Sequence, residues 1–266
     1  MLWDVDYTLI AAPGGAELYR LALAELYGLQ LPTGLQSMAG RTDSAIAVEV
    51  LSLAGVPDPE AEVPRFQGVL ARLAPQAHGI VRERGRVLPG AAEAIAALAD
   101  HAARPADTGL AMRARTATAA RAAPGVAPGT AATPGTAADG QVIQSLLTGN
   151  IPAMAQVKLT ALGLTAHLDL DIGAYGDVSR VRADLVPVAR QNATARYGGD
   201  FSGRATVLVG DTPSDIEAAA AHGARSVGVA SGQFTGQQLI EAGADAVLAD
   251  LADTGKVVSA IVTGRP

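Results

Sequence analysis

Short apolar runs, each compatible with a buried β-strand, recur along this chain and are separated by stretches with helical spacing of apolar residues. The runs cover residues 1–3, 142–147, 205–209, 226–230 and 246–248, and the helical stretches between them cover residues 153–162, 183–195 and 214–222. Strands that alternate with helices are typical of a parallel sheet with crossover helices. The pattern therefore predicts an α/β fold built on a parallel sheet.

The segment between the first apolar run and residue 87 shows no convincing strand. Three helical stretches follow one another there, at residues 16–27, 44–54 and 60–84. Thr42 or Asp43 is suited to cap the start of the second stretch, and Gly28 and Gly55 are suited to end the first and the second. We therefore predict a small helical cap inserted after the first strand.

These patterns divide the chain into a core of residues 1–13 and 86–266 and a helical cap of residues 14–85, with a further core helix at residues 91–99. Residues 104–140 are mostly Ala, Thr, Gly or Pro and contain repeated Pro-Gly pairs. Such a composition supplies little core, so we interpret this segment as a flexible low-complexity insertion. A docking arm or a gate over the substrate is the functional alternative.

Composition narrows the possible functions. The formal net charge of -6 gives no basic footprint, so nucleic acid is not an expected partner, whereas small phosphorylated substrates are compatible with it. The absence of cysteine excludes disulfides and thiolate chemistry, so metal binding must rest on oxygen ligands. No apolar run reaches the roughly 20 residues of a membrane helix, and no signal-peptide pattern is present. We expect a cytoplasmic protein without a membrane partner, either a monomer or a homodimer.

Polar residues at the ends of the predicted strands form the candidate site. Parallel strands bring their carboxyl ends to one edge of a sheet, where Asp4, Thr148 and Asp211 are expected to meet. An ionised Asp4 is suited to attack phosphate, while Asp6 is suited to give a proton to the leaving oxygen and to take one from water. Asp4 and Asp211, with a backbone carbonyl, are suited to bind Mg²⁺. Asp215 follows at the opening of the next helix.

Thr148 and the two residues after it form a candidate phosphate cradle. The Thr148 hydroxyl and the N–H groups of Gly149 and Asn150 are suited to bind phosphate oxygens near a helix start, and a cation should balance the remaining charge. Singly these signals are weak, since Asp-x-Asp is usually a surface or capping feature and Thr-Gly-Asn is usually a turn. Their order, each at the end of an apolar run, favours phosphoryl transfer.

Three of these segments resemble motifs of the haloacid dehalogenase-like superfamily, most of all its phosphoglycolate phosphatase-like branch. The segments are Asp4-Val5-Asp6-Tyr7-Thr8 for the first motif, Leu146-Leu147-Thr148-Gly149-Asn150 for the second, and Val209-Gly210-Asp211 through Asp215 for the fourth. The resemblance extends to about residue 250, apart from the low-complexity insertion. It implies a three-layer Rossmann-like core with a helical cap, and Mg²⁺-dependent phosphatase activity on a small phosphorylated metabolite. It also implies metal-site roles for Asp6 and Asp215 and a substrate-site role for Thr8.

Two positions bear on which member of the family the chain resembles. Asp6 favours phosphate esters, because dehalogenases and phosphonate-cleaving members resemble this pattern but lack that aspartate. Tyr7 stands where glycine is common, and its ring is suited to packing at the cap hinge. Two alternatives therefore stay beside the phosphatase: a phosphomutase of the same superfamily, and a non-catalytic phosphate-metabolite sensor or protein-binding module.

The motifs do not show which basic residue balances the charge of the phosphate. The Lys-Pro pair of the third family motif is absent, and Arg180 and Arg182 occupy the corresponding stretch, of which we favour Arg182. Lys158, about two turns into the helix after Thr148, is the third candidate for this cation, but its distance favours a packing or surface role. Arg41, in a glycine-flanked loop of the cap, is the candidate for contact with substrate, with an exposed helix-capping loop as the alternative.

Overall fold

The computed structural model describes residues 1–103 and 142–264 of the chain. Its strands are β1 (Leu2–Trp3), β2 (Ile10–Ala11), β3 (Arg86–Val87), β4 (Ser145–Leu146), β5 (Val207–Gly210), β6 (Arg225–Val229) and β7 (Ala246–Leu248). Five of them form a sheet in the order β4-β1-β5-β6-β7, and every neighbouring pair in it is parallel. The predicted α/β fold with a parallel sheet is confirmed.

Helices cover both faces of this sheet. They are α1 (Gly15–Tyr27), α2 (Asp43–Leu53), α3 (Pro59–Leu73), α4 (His78–Arg84), α5 (Ala91–Ala103), α6 (Pro152–Ala161), α7 (Leu185–Tyr197), α8 (Pro213–Ala221), α9 (Gly236–Glu241) and α10 (Thr254–Thr263). Because side chains alternate along a strand, Trp3 packs into a cluster with α5, α6 and α10, whereas its neighbour Leu2 packs with α7 and α8. The result is the three-layer arrangement that the resemblance implied.

Helices α1 to α4 form a helical insert, defined here as residues 15–84, with its own buried cluster. Phe66, Leu23 and Leu51 are fully buried in it, and Met154 of core helix α6 joins them. The insert therefore packs against the first part of α6. Its helices fall within the predicted cap of residues 14–85, whose exact domain limits stay a prediction.

The expected helix ends in the insert are found. The Thr42 hydroxyl accepts a hydrogen bond from the Ala45 N–H (3.2 Å) and caps α2. Gly28 ends α1 at a φ of 67°, in the left-handed region that glycine adopts without strain. Gly55, with a φ of 73°, follows the end of α2. Local sequence signals thus set the limits of the first two helices of the insert.

Several expected elements differ from those observed. Strand β2, which pairs antiparallel with β3, was not expected, because two residues are too few to show a period. The helix expected over residues 60–84 is broken by a 3₁₀ turn at Ala74–Ala77, where Pro75 has no N–H to donate. Helix α7 begins after another 3₁₀ turn, Arg182–Asp184. The low-complexity insertion at residues 104–140 lies outside the described residues.

No helix in the described parts of the chain is both long and apolar enough to cross a membrane.

Candidate active site

The carboxyl ends of β1, β4 and β5 bring three expected site residues together. The Asp4 N–H donates to Val209 O (2.8 Å), and Trp3 lies beside both Leu146 and Val209 in the sheet register. Asp4, Thr148 and Asp211 all line a cavity of 640 Å³. The helical insert supplies other parts of its wall, including Tyr19, Arg41 and Asp43. The cavity therefore lies between the edge of the sheet and the insert.

Asp4, Asp211 and Asp215 form a buried acidic cluster. One carboxylate oxygen from each lies within 4.8 Å of the others. Burial raises the pKa of Asp4 to about 6, although Arg182 opposes this. Burial, together with the charges of Asp4 and Asp215, raises the pKa of Asp211 to about 8. The cluster thus holds more negative charge than the nearby protein balances, and its oxygen donors suit a hard divalent cation.

Arg182 is the cation that the chain itself places in this cluster. Its Nη2 lies 2.8 Å from Asp4 Oδ1 and 2.7 Å from Asp215 Oδ1. Burial lowers the pKa of the guanidinium, but Asp215 and Asp4 outweigh burial and raise the pKa overall. Arg180, in contrast, is exposed and pairs with Glu60 of the insert. Of the two arginines in this stretch, the structure brings Arg182 to the site.

Both carboxylate oxygens of Asp215 already have partners in the protein. Oδ2 accepts hydrogen bonds from the Thr212 N–H (3.1 Å) and hydroxyl (2.8 Å), while Oδ1 faces Arg182. Gly210 allows this approach, since a Cβ at that position would lie 2.1 Å from Asp215 Cγ. Asp215 therefore anchors Arg182 and the start of α8.

Asp6 lies outside the acidic cluster and is held by two partners. Lys158 Nζ lies 2.8 Å from Asp6 Oδ1 and 2.6 Å from Oδ2, and Asn150 Nδ2 donates to Oδ2 at 2.8 Å. The structure does not bring the Asp6 carboxylate to the other acidic groups expected at the metal, because this pairing draws it to α6. A metal role for Asp6 stays a prediction.

The expectation of a packing or surface role for Lys158 is wrong. Lys158 is only 5% exposed, and its ammonium lies at the candidate site. Its position in α6 is six residues beyond Pro152, or about 9 Å along the axis at ~1.5 Å per residue. Side chains on a helix lean toward its N-terminus, so the long lysine stem reaches back over this distance.

The predicted phosphate cradle is present at the cavity, but its groups are partly engaged. Thr148 Oγ1 accepts hydrogen bonds from the N–H (3.3 Å) and Nδ2 (2.9 Å) of Asn150. The expected substrate contact of Thr8 is not supported, because Thr8 is fully buried and donates to Asp211 Oδ1 at 3.4 Å. Thr8 thus lies behind Asp211 rather than facing the cavity.

The insert contacts the cradle through main-chain groups. The N–H of Asp43 donates to Gly149 O (2.7 Å), and the N–H of Ser44 donates to Gly176 O (2.8 Å). Both acceptors must be glycine: a Cβ on Gly149 would lie 2.0 Å from Arg41 O, and a Cβ on Gly176 would lie 1.7 Å from Gly149 O. The loop before α2 therefore rests directly on the cradle.

Arg41 lines the cavity, but its charge is already paired. Its guanidinium forms an ion pair with Glu49 and donates to Ala45 O (3.3 Å), both in α2. The cap residue chosen from the sequence is therefore at the cavity wall and held within the insert. A role in contact with substrate stays a prediction.

Among the cavity residues not identified as site residues from the sequence, Tyr7 and Asp43 stand out. Tyr7 has a φ of 58°, unusual for a non-glycine residue, and its half-exposed ring lines the cavity. Asp43 caps core helix α6 from the insert, accepting a hydrogen bond from the Ile151 N–H (2.7 Å) on Oδ2 and one from the Tyr19 hydroxyl (2.7 Å) on Oδ1. Burial raises the pKa of Asp43. The Asp43 contact spans 108 residues, so no local signal could have revealed it.

Comparisons with known proteins identify one family model and several solved structures that this chain resembles. The HAD-hydrolase-like family model matches residues 181–254, which include Arg182, Asp211 and Asp215. No curated protein matches the chain. The resemblance expected from the motifs is confirmed in the matched segment.

Solved structures with the same fold cover almost the whole chain. A predicted phosphatase from Clostridium acetobutylicum is 15% identical with a TM-score of 0.62, covering 97% of each chain. A hydrolase from Pseudomonas syringae is 19% identical with a TM-score of 0.56, covering 98% of this chain and 97% of its own. A predicted phosphoglycolate phosphatase from Haemophilus somnus is 18% identical with a TM-score of 0.55, covering 96% of each chain. At these identities the likeness establishes the fold.

Proposed function

We propose that this haloacid dehalogenase-like hydrolase is a Mg²⁺-dependent phosphatase, which releases phosphate from a small phosphomonoester through an aspartyl-phosphate on Asp4. The observation that carries the proposal is the position of Asp4. It is buried at the end of a central strand, paired on one oxygen with Arg182, and open to a cavity that Asp6 also lines. A nucleophile, a separate proton carrier and a cation thus face one space.

The reaction uses the two aspartates in turn. The Asp4 carboxylate attacks phosphorus, the ester P–O bond breaks, and the leaving oxygen takes a proton from Asp6. Water then attacks the aspartyl-phosphate and gives a proton to Asp6, while the bond between Asp4 and phosphorus breaks. Phosphate leaves, and both carboxyl groups return to their starting state.

Two residues are best suited to hold Mg²⁺. Asp4 and Asp211 keep carboxylate oxygens at the cavity, whereas both oxygens of Asp215 are engaged by Arg182 and Thr212. The raised pKa values of Asp4 and Asp211 support a cation between them, because they reflect uncompensated buried negative charge. When bound, Mg²⁺ neutralises charge and polarises a phosphoryl oxygen.

Arg182 and Thr148 are suited to bind the transferred phosphoryl group. Arg182 Nε is a buried donor without a hydrogen-bond partner in the described structure, and such donors are rare unless a ligand or water satisfies them. The Thr148 hydroxyl lines the same cavity. Together they support binding of phosphate oxygens opposite Asp4.

The remaining parts of the proposal concern the setting of the reaction. We take the helical insert as a cap that excludes bulk water from the cavity, since its loop rests on the cradle. The substrate is a small phosphorylated metabolite, for which a cavity of 640 Å³ has room. The cysteine-free composition supports action in the cytoplasm.

A phosphate-release screen tests the proposal. The panel comprises sugar phosphates, nucleoside monophosphates and phosphoglycolate, each assayed with Mg²⁺ and with EDTA. We expect release from at least one substrate, loss of release in EDTA, and recovery when Mg²⁺ is added back. No release from any member with Mg²⁺ present would contradict the phosphatase, and release that is indifferent to EDTA would contradict the metal role.

The acidic cluster also predicts how stability depends on pH. In the unfolded chain Asp4 and Asp211 titrate near 3.8, whereas their folded pKa values are about 6 and about 8. Between the unfolded and the folded pKa values the folded state binds more protons than the unfolded state. The free energy of unfolding of the metal-free protein therefore falls as pH rises. The fall is on the order of 1 kcal/mol per pH unit where Asp211 is the only one of the two that titrates. Bound Mg²⁺ offsets this loss, because it stabilises the ionised carboxylates.

Differential scanning fluorimetry at pH 6 and pH 8, with EDTA and with Mg²⁺, measures this effect. We expect Tm in EDTA to be lower at pH 8, and the rise in Tm caused by Mg²⁺ to be larger there. Asp211→Asn should remove most of the difference, while Asp250→Asn, at an exposed position, should leave it intact. An equal Mg²⁺ effect at both pH values in the wild type would argue against a metal held by this cluster.

A further inference from the structure

Lys158 is a buried charged group that the proposed reaction does not use. Its ammonium has three hydrogens, and three acceptors lie within reach: Asp6 Oδ1, Asp6 Oδ2 and Asn150 Oδ1, the last at 2.7 Å. The ammonium is therefore saturated by the protein. Lys158 can bind a phosphate oxygen only in exchange for one of these three acceptors, two of which belong to Asp6.

The contacts of Asn150 extend this arrangement to the phosphate cradle. Its Oδ1 accepts from Lys158, while its Nδ2 donates to Asp6 Oδ2 and to Thr148 Oγ1. The lysine and the amide together fix both oxygens of Asp6 relative to Thr148. Asp6 is thus oriented by a chain of hydrogen bonds that begins on α6 and ends at the cradle.

Stability alone is a poor explanation for this buried pair. An ammonium taken out of water loses several kcal/mol of hydration, which a buried ion pair often fails to recover, and an apolar side chain of similar length would fill the same space. Asp6, by contrast, is about a third exposed, with 32% of its side chain accessible at the cavity. The ion pair therefore connects the buried Lys158 ammonium to an Asp6 carboxylate that faces the cavity.

We infer that Lys158 is a positioning residue for Asp6: it holds the Asp6 carboxylate apart from the Asp4, Asp211 and Asp215 cluster and aimed at the leaving oxygen of the substrate. The inference rests on the proposed phosphatase function. Without the lysine only the contact with Asn150 Nδ2 holds the Asp6 carboxylate, which is then freer to rotate away from the leaving group. Proton transfer from Asp6 as the ester bond breaks would then be slowed, while attack by Asp4 would be kept.

This role has a kinetic signature that a purely structural role lacks. An alkyl oxygen is a poor leaving group and needs the proton from Asp6, whereas a p-nitrophenyl oxygen leaves readily as an anion. General acid catalysis contributes roughly 10² to 10⁴-fold where it is needed. Loss of Lys158 should therefore reduce turnover of an alkyl phosphate far more than turnover of p-nitrophenyl phosphate.

The test compares Lys158→Met with the wild type on both substrates, using the best alkyl phosphate from the screen. We expect kcat for the alkyl ester to fall at least about tenfold more than kcat for p-nitrophenyl phosphate, with little change in KM. Lys158→Arg should recover part of this ratio, because it restores a cation. The chain has only two lysines, so Lys256→Met, on the exposed Lys256, is the matched control and should leave the ratio unchanged.

The outcomes separate the positioning role of Lys158 from the proposed phosphatase function. If wild-type protein cleaves both esters and the ratio is unchanged in Lys158→Met, the positioning role is overturned while the phosphatase stands. An equal fall on both substrates is one form of this result and indicates a structural role. Should Lys158→Met not fold, Lys158→Gln, which keeps a donor, is judged by the same ratio. If wild-type protein cleaves neither ester, the proposed function itself fails.

Discussion

Asp4→Asn is expected to abolish phosphate release, lowering kcat by ~10⁴-fold or more. An amide is a very weak nucleophile, so no aspartyl-phosphate can form. The folded state should survive the change. Arg182 keeps Asp215 as a partner, and burial, which raises the pKa of Asp4, disfavours the Asp4 charge, so the neutral amide should not lower Tm in EDTA. Loss of activity would then be separated from loss of structure.

Intact mass after acid quenching gives a second measurement of the same prediction. Wild-type protein mixed with substrate should carry one phosphoryl group, and Asp4→Asn should carry none. Asp250→Asn is the matched control, because Asp250 also follows a parallel strand, β7, but is exposed and lies outside the acidic cluster. Release by Asp4→Asn within about tenfold of wild type would show that Asp4 is not the nucleophile.

Arg182→Leu is expected to have the largest effect on stability. It leaves three buried carboxylates without the guanidinium that contacts Asp4 and Asp215. Removing one partner of a buried ion pair costs about 3–5 kcal/mol, because the remaining charge is neither paired nor hydrated. Urea denaturation in EDTA at pH 8 measures the loss. Mg²⁺ should restore part of it by neutralising the same carboxylates.

Arg180→Leu provides the comparison for this loss. Arg180 lies two residues away and pairs with Glu60, but both side chains are more than half exposed. An exposed pair contributes at most about 1 kcal/mol, so this variant should unfold close to wild type. Equal and small changes in the two variants would show that Arg182 does not balance the buried cluster.

The sequence was sufficient to predict that Asp4, Thr148 and Asp211 meet at one cavity. Asp4, Thr148 and Asp211 each follow an apolar run, and parallel strands bring such positions to one edge whatever the length of chain between them. The fold class follows from the same alternation of strands and helices. The catalytic roles of these residues stay proposals. That they lie close together follows from the topology of the sheet alone.

The basic part of the site was harder to predict, because it depends on where long side chains reach. The predicted packing or surface role of Lys158 is wrong, because its distance from Thr148 along the helix does not show that its side chain extends back toward Asp6. Arg180 and Arg182 are nearly equivalent in sequence, but Arg182 is buried in the 3₁₀ turn before α7 whereas Arg180 is exposed. Asp43 caps a helix from which it is separated by 108 residues, a relation that only the packed structure contains.

The main-chain contact between the insert and the cradle is independent of most side chains that line the cavity. Two glycine carbonyls accept hydrogen bonds from backbone N–H groups, so the contact depends on the absence of side chains at Gly149 and Gly176 rather than on the identity of those around the cavity. Residues such as Tyr7, Met38 and Gln233 line the cavity without taking part in this contact. Substitutions at these three positions are therefore expected to change the lining of the cavity while leaving the main-chain contact in place.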